Sequence, residues 1–162
     1  MLLLRSIFFT ILQPGTAVVL IPYWLISSGS AGILSSHQPR RYLGAPLIVT
    51  GSAGLLWCIR EFFSRRRGTI SPIDSPKSLV VRGLYKYVRN PMYVSVVTIL
   101  IGEATFFMSL PVLIEAGVFI ILAHIFVAGY EEPSLRRGFG ESYERYTQAV
   151  GRWIPRYRSS AT

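Results

Sequence analysis

The sequence predicts an all-α integral membrane protein with about four transmembrane helices. Of its 162 residues, 51% are hydrophobic and 15% are charged, whereas a soluble domain usually carries about 25% charged residues. The net charge is nevertheless +9, and the basic residues lie between apolar stretches, as they do in the cytoplasmic loops of membrane proteins. This patterning disfavours nucleic-acid binding, the other common role of a basic chain.

Four apolar stretches approach the roughly 20 residues that cross a hydrocarbon core about 30 Å thick. The first follows Arg5 and has the outline of a signal peptide. Pro14, Gly15 and Pro22 interrupt it, however, and no clean cleavage site follows, so we expect a retained span. The four predicted spans cover about residues 6–28, 43–63, 93–110 and 112–130.

The third and fourth spans are separated only by Ser109-Leu110-Pro111, which predicts a tight helical hairpin. Most Lys and Arg residues lie in the linker 64–92 and the tail 131–162. The positive-inside rule therefore places both segments and both chain termini in the cytoplasm. Arg40 and Arg41 then lie in an outer loop, a minor conflict that the larger clusters outweigh. We expect the whole chain to form one domain, with the linker and the tail on the same membrane face.

Cysteine and histidine add little chemistry of their own. Cys58 is the only cysteine, which excludes a disulfide within the chain. His37 and His124 are far apart in sequence, so we expect no metal site.

A first polar segment, Arg89-Asn90-Pro91-Met92-Tyr93, precedes the hairpin. Asn is a good N-cap and Pro suits the first helical position, so the segment predicts a helix start. A helix start presents free N–H groups and a partial positive charge to an anionic ligand group, and Arg89 adds a donor fork. Tyr85, Tyr87 and Tyr93 offer aromatic faces to a base or a cation; an interfacial aromatic belt explains them equally well.

A second polar segment, Glu131-Glu132-Pro133, is expected to close the fourth span. Two carboxylates are unfavourable at the negative end of a helix dipole, so they need a compensating positive charge. Arg136 and Arg137, one turn later, are one source of that charge, and a bound cationic ligand is the other. The sequence leaves both sources open.

Two ionisable residues inside the predicted spans are candidate substrate contacts. Glu103 lies ten residues past Tyr93, about 15 Å along a helix and so near mid-membrane, where an ionisable group marks a functional site by default. His124 precedes Glu131 by seven residues and shares its helix face. Protonation or a bond to a neighbouring helix is the structural alternative for Glu103, and an interhelical hydrogen bond is the alternative for His124.

Beyond the second segment the chain is expected to turn. Gly138-Phe139-Gly140 lacks the preceding strand and the third glycine of a dinucleotide fingerprint, so we interpret it as a turn that folds the tail back. Glu141–Val150 predicts a short amphipathic helix carrying Tyr143 and Tyr146, and Trp153-Ile154-Pro155 an interfacial anchor.

These motifs, taken in order, resemble those of the isoprenylcysteine carboxyl methyltransferase family, whose bacterial and phospholipid-methylating relatives share the pattern. The resemblance covers about residues 67–156. It implies an enzyme of a bacterial inner membrane that uses S-adenosylmethionine, bound on the cytoplasmic side between the hairpin and the folded-back tail. The residues that carry it are Gly83-Leu84-Tyr85, Arg89-Asn90-Pro91-Met92-Tyr93, Glu131-Glu132, Phe139-Gly140, Tyr143, Tyr146 and Ile154-Pro155.

The resemblance also implies roles for particular positions. Arg89 and Glu131 become the candidate catalytic residues. Because methyl transfer depends mainly on placing an electrophilic methyl group near a nucleophile, no catalytic dyad is required. The implied cofactor-binding positions are Lys77, Ser78, Leu79, Val80, Tyr85, Asn90, Pro91, Met92, Tyr93 and Glu131.

Two departures from the family pattern bear on the substrate. Asn90 stands where the family usually has a histidine, so a titratable base is lost. Val127 stands where the eukaryotic prenylcysteine enzymes have an arginine that contacts the substrate. We therefore expect the methyl acceptor to be a lipid or another lipophilic small molecule that enters from the bilayer, with O-methylation of an isoprenylcysteine carboxylate as the alternative.

Two further hypotheses belong to other classes. The first is a NADPH-dependent oxidoreductase similar to the sterol reductases. Those enzymes have a proline-tyrosine and C-terminal tyrosine pattern like the one in this sequence, but they are generally much larger. A non-enzymatic membrane component would use Glu103 and His124 as a polar pathway and would tolerate changes at Tyr93 or Glu131.

Overall fold

The computed structural model describes residues 15–30, 39–66 and 83–156, and these residues form helices with no β-strand among them. The predicted all-α class is confirmed for this part of the chain. Helix α1, residues 16–30, places the α-helical turn Ile21–Leu25 between two π-helical turns, Thr16–Leu20 and Ile26–Ser30. The 3-10 turn Pro39–Leu43 then leads into α2, Gly44–Arg66.

The second half of the chain begins with a 3-10 turn, Gly83–Lys86, followed by α3, Pro91–Phe106. After a short turn comes α4, Leu110–Phe126, which continues through the π-helical turn Val127–Glu131. Two shorter helices follow: α5, Glu132–Phe139, and α6, Glu141–Ala149.

Two helical stretches are long and apolar enough to cross a membrane, Arg41–Glu61 and Leu110–Phe139. Only 17% and 22% of their apolar windows are buried inside the protein. A core helix of a soluble protein is mostly buried, so these helices have apolar surface for contact with lipid. Thr16–Ser28 and Pro91–Phe106 are apolar but shorter. Residues 6–14 of the first predicted span lie outside the described residues, and the four-span arrangement stays a prediction.

The hairpin turn lies earlier in the chain than the sequence suggests. α3 ends at Phe106, and Met108 adopts a left-handed conformation with φ of 51°. Ser109 is the N-cap of α4, where its Oγ accepts a hydrogen bond from the backbone N–H of Val112 at 3.5 Å. The predicted end of the third span at residue 110 is therefore wrong. Leu110 and the following proline start α4 because proline suits the first turn of a helix.

The helix that carries the acidic pair also differs from expectation, since it does not end at Glu131 and Glu132. The N–H of Glu132 donates to the carbonyl oxygen of Val127, a π-type bond, and the helical path goes on to Phe139. Pro133 is the second residue of α5 and supplies no N–H to the helical hydrogen bonds. The helix-dipole argument for a counter-charge at this point is therefore wrong.

The packing of α3 fixes the position of its first residues. A Cβ atom on Gly51 of α2 would lie 2.7 Å from Ile99 Cγ1 and 2.9 Å from Ser95 O, so glycine allows α2 and α3 to approach closely. On its other side, α3 shares a hydrophobic core with α1 and α4. The buried members of that core are Ala17, Val96, Leu100, Ala104, Val112 and Ala116.

Candidate functional site

The backbone just before α3 runs beside the C-terminal segment, residues 140–156. Val88 and Gly151 form an isolated parallel bridge, in which the N–H of Arg89 donates to the carbonyl oxygen of Gly151 at 2.9 Å. The hydroxyl of Tyr146 donates to the carbonyl oxygen of Tyr85 at 2.8 Å. Glycine is needed at position 151 because a Cβ atom there would collide with the carbonyl oxygen of Ile154. The C-terminal segment is thus attached to the start of α3 by backbone hydrogen bonds.

Asn90 occupies the N-cap position of α3, as the sequence predicts, but its side chain does not cap the helix. The side-chain Nδ2 donates instead to the carbonyl oxygen of Arg152 at 3.3 Å, and the residue is buried. Asn90 therefore contributes a further contact between α3 and the C-terminal segment.

The carboxylate of Glu132 joins three parts of the chain. Arg152 donates from Nε to Oε1 at 2.7 Å and from Nη2 to Oε2 at 2.8 Å, a bidentate pair. Arg89 donates from Nη1 to Oε1 at 2.9 Å. The side chain of Glu132 is 5% exposed, that of Arg89 is 12% exposed and that of Arg152 is 30% exposed. We call these three residues the Glu132 clamp.

Of the two sources of positive charge that the sequence leaves open, Arg136 and Arg137 form no hydrogen bond to Glu132 in the described part of the chain, whereas Arg89 and Arg152 do. Arg136 donates from Nε to Oε1 of Glu144 at 2.9 Å, with both side chains about half exposed. Arg137 is also exposed. The side chain of Glu132 is buried, and the arginines that reach it come from the segment before α3 and from the C-terminal segment.

The buried carboxylate sets the charge state of its neighbours. The hydrogen bond to Glu132 raises the pKa of Arg152. Burial and the nearby Glu132 carboxylate raise the pKa of Tyr143, whose hydroxyl accepts a long hydrogen bond from Arg89 Nη1 at 3.5 Å. Both shifts favour the protonated form, which is charged in Arg152 and neutral in Tyr143.

A small cavity lies beside the clamp. Its volume is about 30 Å³, more than the roughly 10–15 Å³ that a cavity needs to hold a water molecule. Glu131 contributes a carboxylate that forms no hydrogen bond or ion pair with any described residue, and the buried Nε of Arg89 also has no partner among them. The lining residues are Arg89, Asn90, Val127, Glu131, Glu132, Leu135, Tyr143 and Tyr146.

An aromatic cluster, defined by Tyr93, Phe119 and Trp153, lies next to His124. The Tyr93 ring is 6.3 Å from Phe119 and meets Trp153 edge-on at 6.2 Å. Trp153 Nε1 donates to His124 Nδ1 at 3.2 Å. His124 therefore bonds to the C-terminal segment rather than to a neighbouring apolar helix, and it is not among the residues that line the cavity.

The structure brings three of the predicted site residues together. Arg89, Asn90 and Glu131 line the same cavity. Pro91 and Met92 form the first turn of α3 directly beside it. The cavity thus contains both candidate catalytic residues.

Two other predicted cofactor residues, Tyr85 and Tyr93, do not line this cavity. Tyr93 belongs to the aromatic cluster, and Tyr85 meets Tyr146 through its backbone oxygen. The predicted segment Lys77, Ser78, Leu79 and Val80 lies outside the described residues.

Glu103 lies far from the cavity. It is three residues before the end of α3 and about 18 Å along the helix from Pro91. Its Oε2 atom, and both carboxylate oxygens of Glu115 on α4, are buried without a hydrogen-bond partner in the described part of the chain. Glu103 thus lies near the hairpin end of α3 rather than at its middle, and its depth in a membrane stays a prediction. Among residues 15–30, 39–66 and 83–156, no three His, Cys, Asp or Glu side chains are grouped to hold a metal ion.

The sequence does not predict Arg152 or Leu135 as site residues, and neither alternative for the acidic pair includes Arg89 or Arg152. Arg152 is one of several arginines in a basic tail, where the positive-inside rule explains each of them without a site. Arg152 differs from the other arginines only in its position beside Gly151. The backbone of Gly151 pairs with the segment that contains Arg89. A sequence pattern does not encode that long-range pairing.

A comparison with protein families shows what the chain is similar to. The family described as phospholipid methyltransferase matches residues 39–142, more than half of the 162 residues. The match covers α2 to α5 and includes Arg89, Asn90, Glu131 and Glu132. No curated protein and no solved structure shows significant similarity to the chain.

Proposed function

Because the chain belongs to the phospholipid methyltransferase family, we propose that it transfers a methyl group from S-adenosylmethionine to a lipid or another lipophilic acceptor at the cytoplasmic face of a membrane. The observation that carries this proposal is the family match over residues 39–142, which include all the residues that line the cavity except Tyr143 and Tyr146. The match also confirms, at the level of the family, the methyltransferase resemblance that the motifs indicate.

The polar groups of the cavity fit the amino-acid end of S-adenosylmethionine. That end carries a carboxylate and an ammonium group. The buried Nε of Arg89 is an N–H donor without an acceptor among the described residues, which suits a carboxylate. The carboxylate of Glu131, which no described residue engages, suits an ammonium or a ribose hydroxyl. The cavity volume of about 30 Å³ is small compared with the roughly 300–1,000 Å³ of most ligand sites.

Each residue then has a task that its position allows. S-adenosylmethionine, when bound, supplies a methyl group on a positively charged sulfur. Arg89 and Glu131 hold the opposite charges of the amino-acid end, and Asn90 keeps the C-terminal segment in place through Arg152. Because methyl transfer depends on placement, these residues accelerate it by orienting the ligand and excluding water rather than by moving a proton. We retain Lys77, Ser78, Leu79 and Val80 as further cofactor contacts.

The acceptor is proposed to arrive from the bilayer. The surface of α4 carries exposed apolar side chains, among them Leu122, Ile125 and Phe126 at 60%, 62% and 48% exposure. They lead toward Tyr130, which is also exposed and precedes Glu131. A lipophilic acceptor can follow this surface to the cavity without leaving the membrane, and membrane lipids are the partner class that fits it. The basic linker and tail support a cytoplasmic position for the cavity.

Calorimetric titration of the purified, detergent-solubilised protein tests the cofactor. We expect saturable binding of S-adenosylhomocysteine and none of NADPH. The variant Glu131→Gln should weaken S-adenosylhomocysteine binding by about tenfold or more, equivalent to about 1.4 kcal/mol. Glu141→Gln is the matched control, since Glu141 is exposed on α6 and does not line the cavity.

A methyl-transfer assay tests the reaction. Protein reconstituted in vesicles of a bacterial lipid extract is supplied with S-adenosylmethionine labelled in its methyl group. We expect label in the organic phase with wild-type protein and with Glu141→Gln, and much less with Glu131→Gln. Binding of NADPH in place of S-adenosylhomocysteine, or no label in any lipid fraction, would contradict the proposal.

A further inference from the structure

Resting on the proposed function, we propose that Tyr143 is a further ligand-binding residue. Its hydroxyl donates a hydrogen bond, beside the guanidinium group of Arg89, to the carboxylate at the amino-acid end of S-adenosylmethionine. Tyr143 lies just beyond the residues that the family model matches, which end at residue 142, so the match assigns it no role.

The first observation is a buried donor without an acceptor. Tyr143 is 2% exposed and lines the cavity. Its hydroxyl oxygen accepts the long bond from Arg89 Nη1 at 3.5 Å, but its hydroxyl hydrogen has no acceptor among the described residues. Tyr146, one turn later, differs, because its hydroxyl donates to the carbonyl oxygen of Tyr85 at 2.8 Å. Buried hydroxyl groups are normally hydrogen-bonded, so the hydroxyl of Tyr143 is suited to a ligand in the cavity.

The second observation is the charge beside this hydroxyl. The Glu132 clamp contains two guanidinium groups and one carboxylate, so its net charge is +1. Glu131 forms no ion pair with any described residue and so does not compensate this charge by contact. A largely buried charge without a partner is unfavourable. A ligand carboxylate next to Arg89 and Tyr143 would supply the missing negative charge and accept the hydroxyl hydrogen.

The third observation concerns protonation and size. Burial and the nearby Glu132 carboxylate raise the pKa of Tyr143, which favours the protonated hydroxyl, the form that donates. The cavity volume is about 30 Å³, and one water-sized group needs roughly 10–15 Å³, so the cavity has room for a group about the size of a carboxylate. The cavity is also partly open, which allows the rest of a longer ligand to extend out of it.

Calorimetric titration with two ligands tests the contact. The ligands are S-adenosylhomocysteine and its decarboxylated analogue, which lacks only the carboxylate. In Tyr143→Phe we expect the affinity for S-adenosylhomocysteine to fall by about tenfold or more, because a hydrogen bond to a charged group is lost. The affinity for the decarboxylated analogue should change by less than about twofold, since the partner of the hydroxyl is already missing. A structural role of Tyr143 would not produce this difference between the ligands.

Two further variants that replace tyrosine by phenylalanine are the controls. Tyr42→Phe removes a hydroxyl from a residue of the turn Pro39–Leu43 that is 66% exposed, and it should leave both affinities unchanged. Tyr146→Phe removes the bond to the carbonyl oxygen of Tyr85, and it should affect both ligands equally. An equal loss for the two ligands in Tyr143→Phe would overturn the proposal, because it would show that this hydroxyl also acts through the structure alone.

The same titrations separate this contact from the proposed function. If the wild-type protein binds S-adenosylhomocysteine and Tyr143→Phe binds both ligands as tightly as wild type, the cofactor stands and the contact with Tyr143 is wrong. If the wild-type protein binds neither ligand, the proposed cofactor is wrong and the contact is wrong with it. A loss in Tyr143→Phe that is confined to the ligand with the carboxylate supports both.

Discussion

Helix α3 is held in two different ways along its length. Its middle packs against α2 through a glycine contact, where a Cβ on Gly51 would lie 2.7 Å from Ile99 Cγ1. Its start is held by the Glu132 clamp, in which one buried carboxylate accepts three hydrogen bonds from two arginines. The first contact depends on shape alone and the second on charge and direction.

This difference indicates which contact is permanent. Two apolar helices in close contact lose van der Waals attraction continuously as they separate, and no other partner replaces the lost contact. A charged contact can exchange a protein partner for water or for a ligand with little loss, provided that the remaining charge stays paired. The α2–α3 contact therefore serves as the scaffold, and the clamp is the part of the molecule suited to binding and release.

The clamp is broken most directly by Glu132→Gln. This change keeps the size of the side chain but leaves the guanidinium groups of Arg89 and Arg152 without a carboxylate. We expect a loss of about 3 kcal/mol in the free energy of unfolding, the lower part of the range for a broken buried pair because Arg152 is partly exposed. The measurement is unfolding in mixed detergent–SDS micelles, followed by circular dichroism.

The control for this change is Glu144→Gln. Glu144 also forms an ion pair, with Arg136 at 2.9 Å, but both side chains are about half exposed. Exposed pairs contribute little, so we expect a change below about 0.5 kcal/mol. Equal losses in the two variants would show that burial does not distinguish the clamp from a surface pair.

The α2–α3 contact is broken by Gly51→Leu. The added side chain has no room beside Ile99 and Ser95, so the two helices have to separate. Overpacking of this kind costs about 1–3 kcal/mol. Gly117→Leu on α4 is the matched control, because no atom lies within 4 Å of the position of its Cβ. The same unfolding assay applies, and equal behaviour of the two leucine variants would contradict a close contact at Gly51.

The contrast between the two contacts also shows what the sequence can predict. The length of the apolar stretch predicts a start at Tyr93, and the Asn90-Pro91 pair predicts a helix start just before it. In the structure α3 begins at Pro91, two residues before Tyr93. Composition alone gives the helical class, because most of the chain has to satisfy its backbone hydrogen bonds in an apolar setting. These properties are local, so a single segment reveals them.

The clamp is not local. Its arginines lie 43 and 20 positions from Glu132, and no periodicity links them. The π-helical turn Val127–Glu131 is also missed, because a proline after two acidic residues is typical of a helix end and the extra residue per turn leaves no composition signal. The sequence therefore predicts Arg89, Asn90 and Glu131 as site residues but not the pairing of Glu132 with Arg89 and Arg152.

A smaller effect is expected from Trp153→Phe, which removes the hydrogen bond to His124 Nδ1 at 3.2 Å. One hydrogen bond contributes about 1 kcal/mol, so the C-terminal segment should detach about fivefold more often. Native-state trypsin cleavage after Arg152 or Arg156 measures this, because cleavage follows the population of the open form. Trp24→Phe is the control, since Trp24 is 66% exposed. Equal cleavage rates in the two variants would contradict a role for the His124 bond.

The smallest effect is expected from Glu103→Gln, which tests the opposite end of α3. Glu103 lies about 18 Å along the helix from Pro91 and does not line the cavity. The affinity for S-adenosylhomocysteine should therefore change by less than about twofold, whereas Glu131→Gln should lower it by about tenfold. Calorimetry on the two variants makes the comparison directly, because each removes one carboxylate charge from the hairpin helices or their extension. A large loss in Glu103→Gln would mean that the two ends of α3 are energetically coupled, and the division of this helix into a fixed scaffold and an exchangeable clamp would then be wrong.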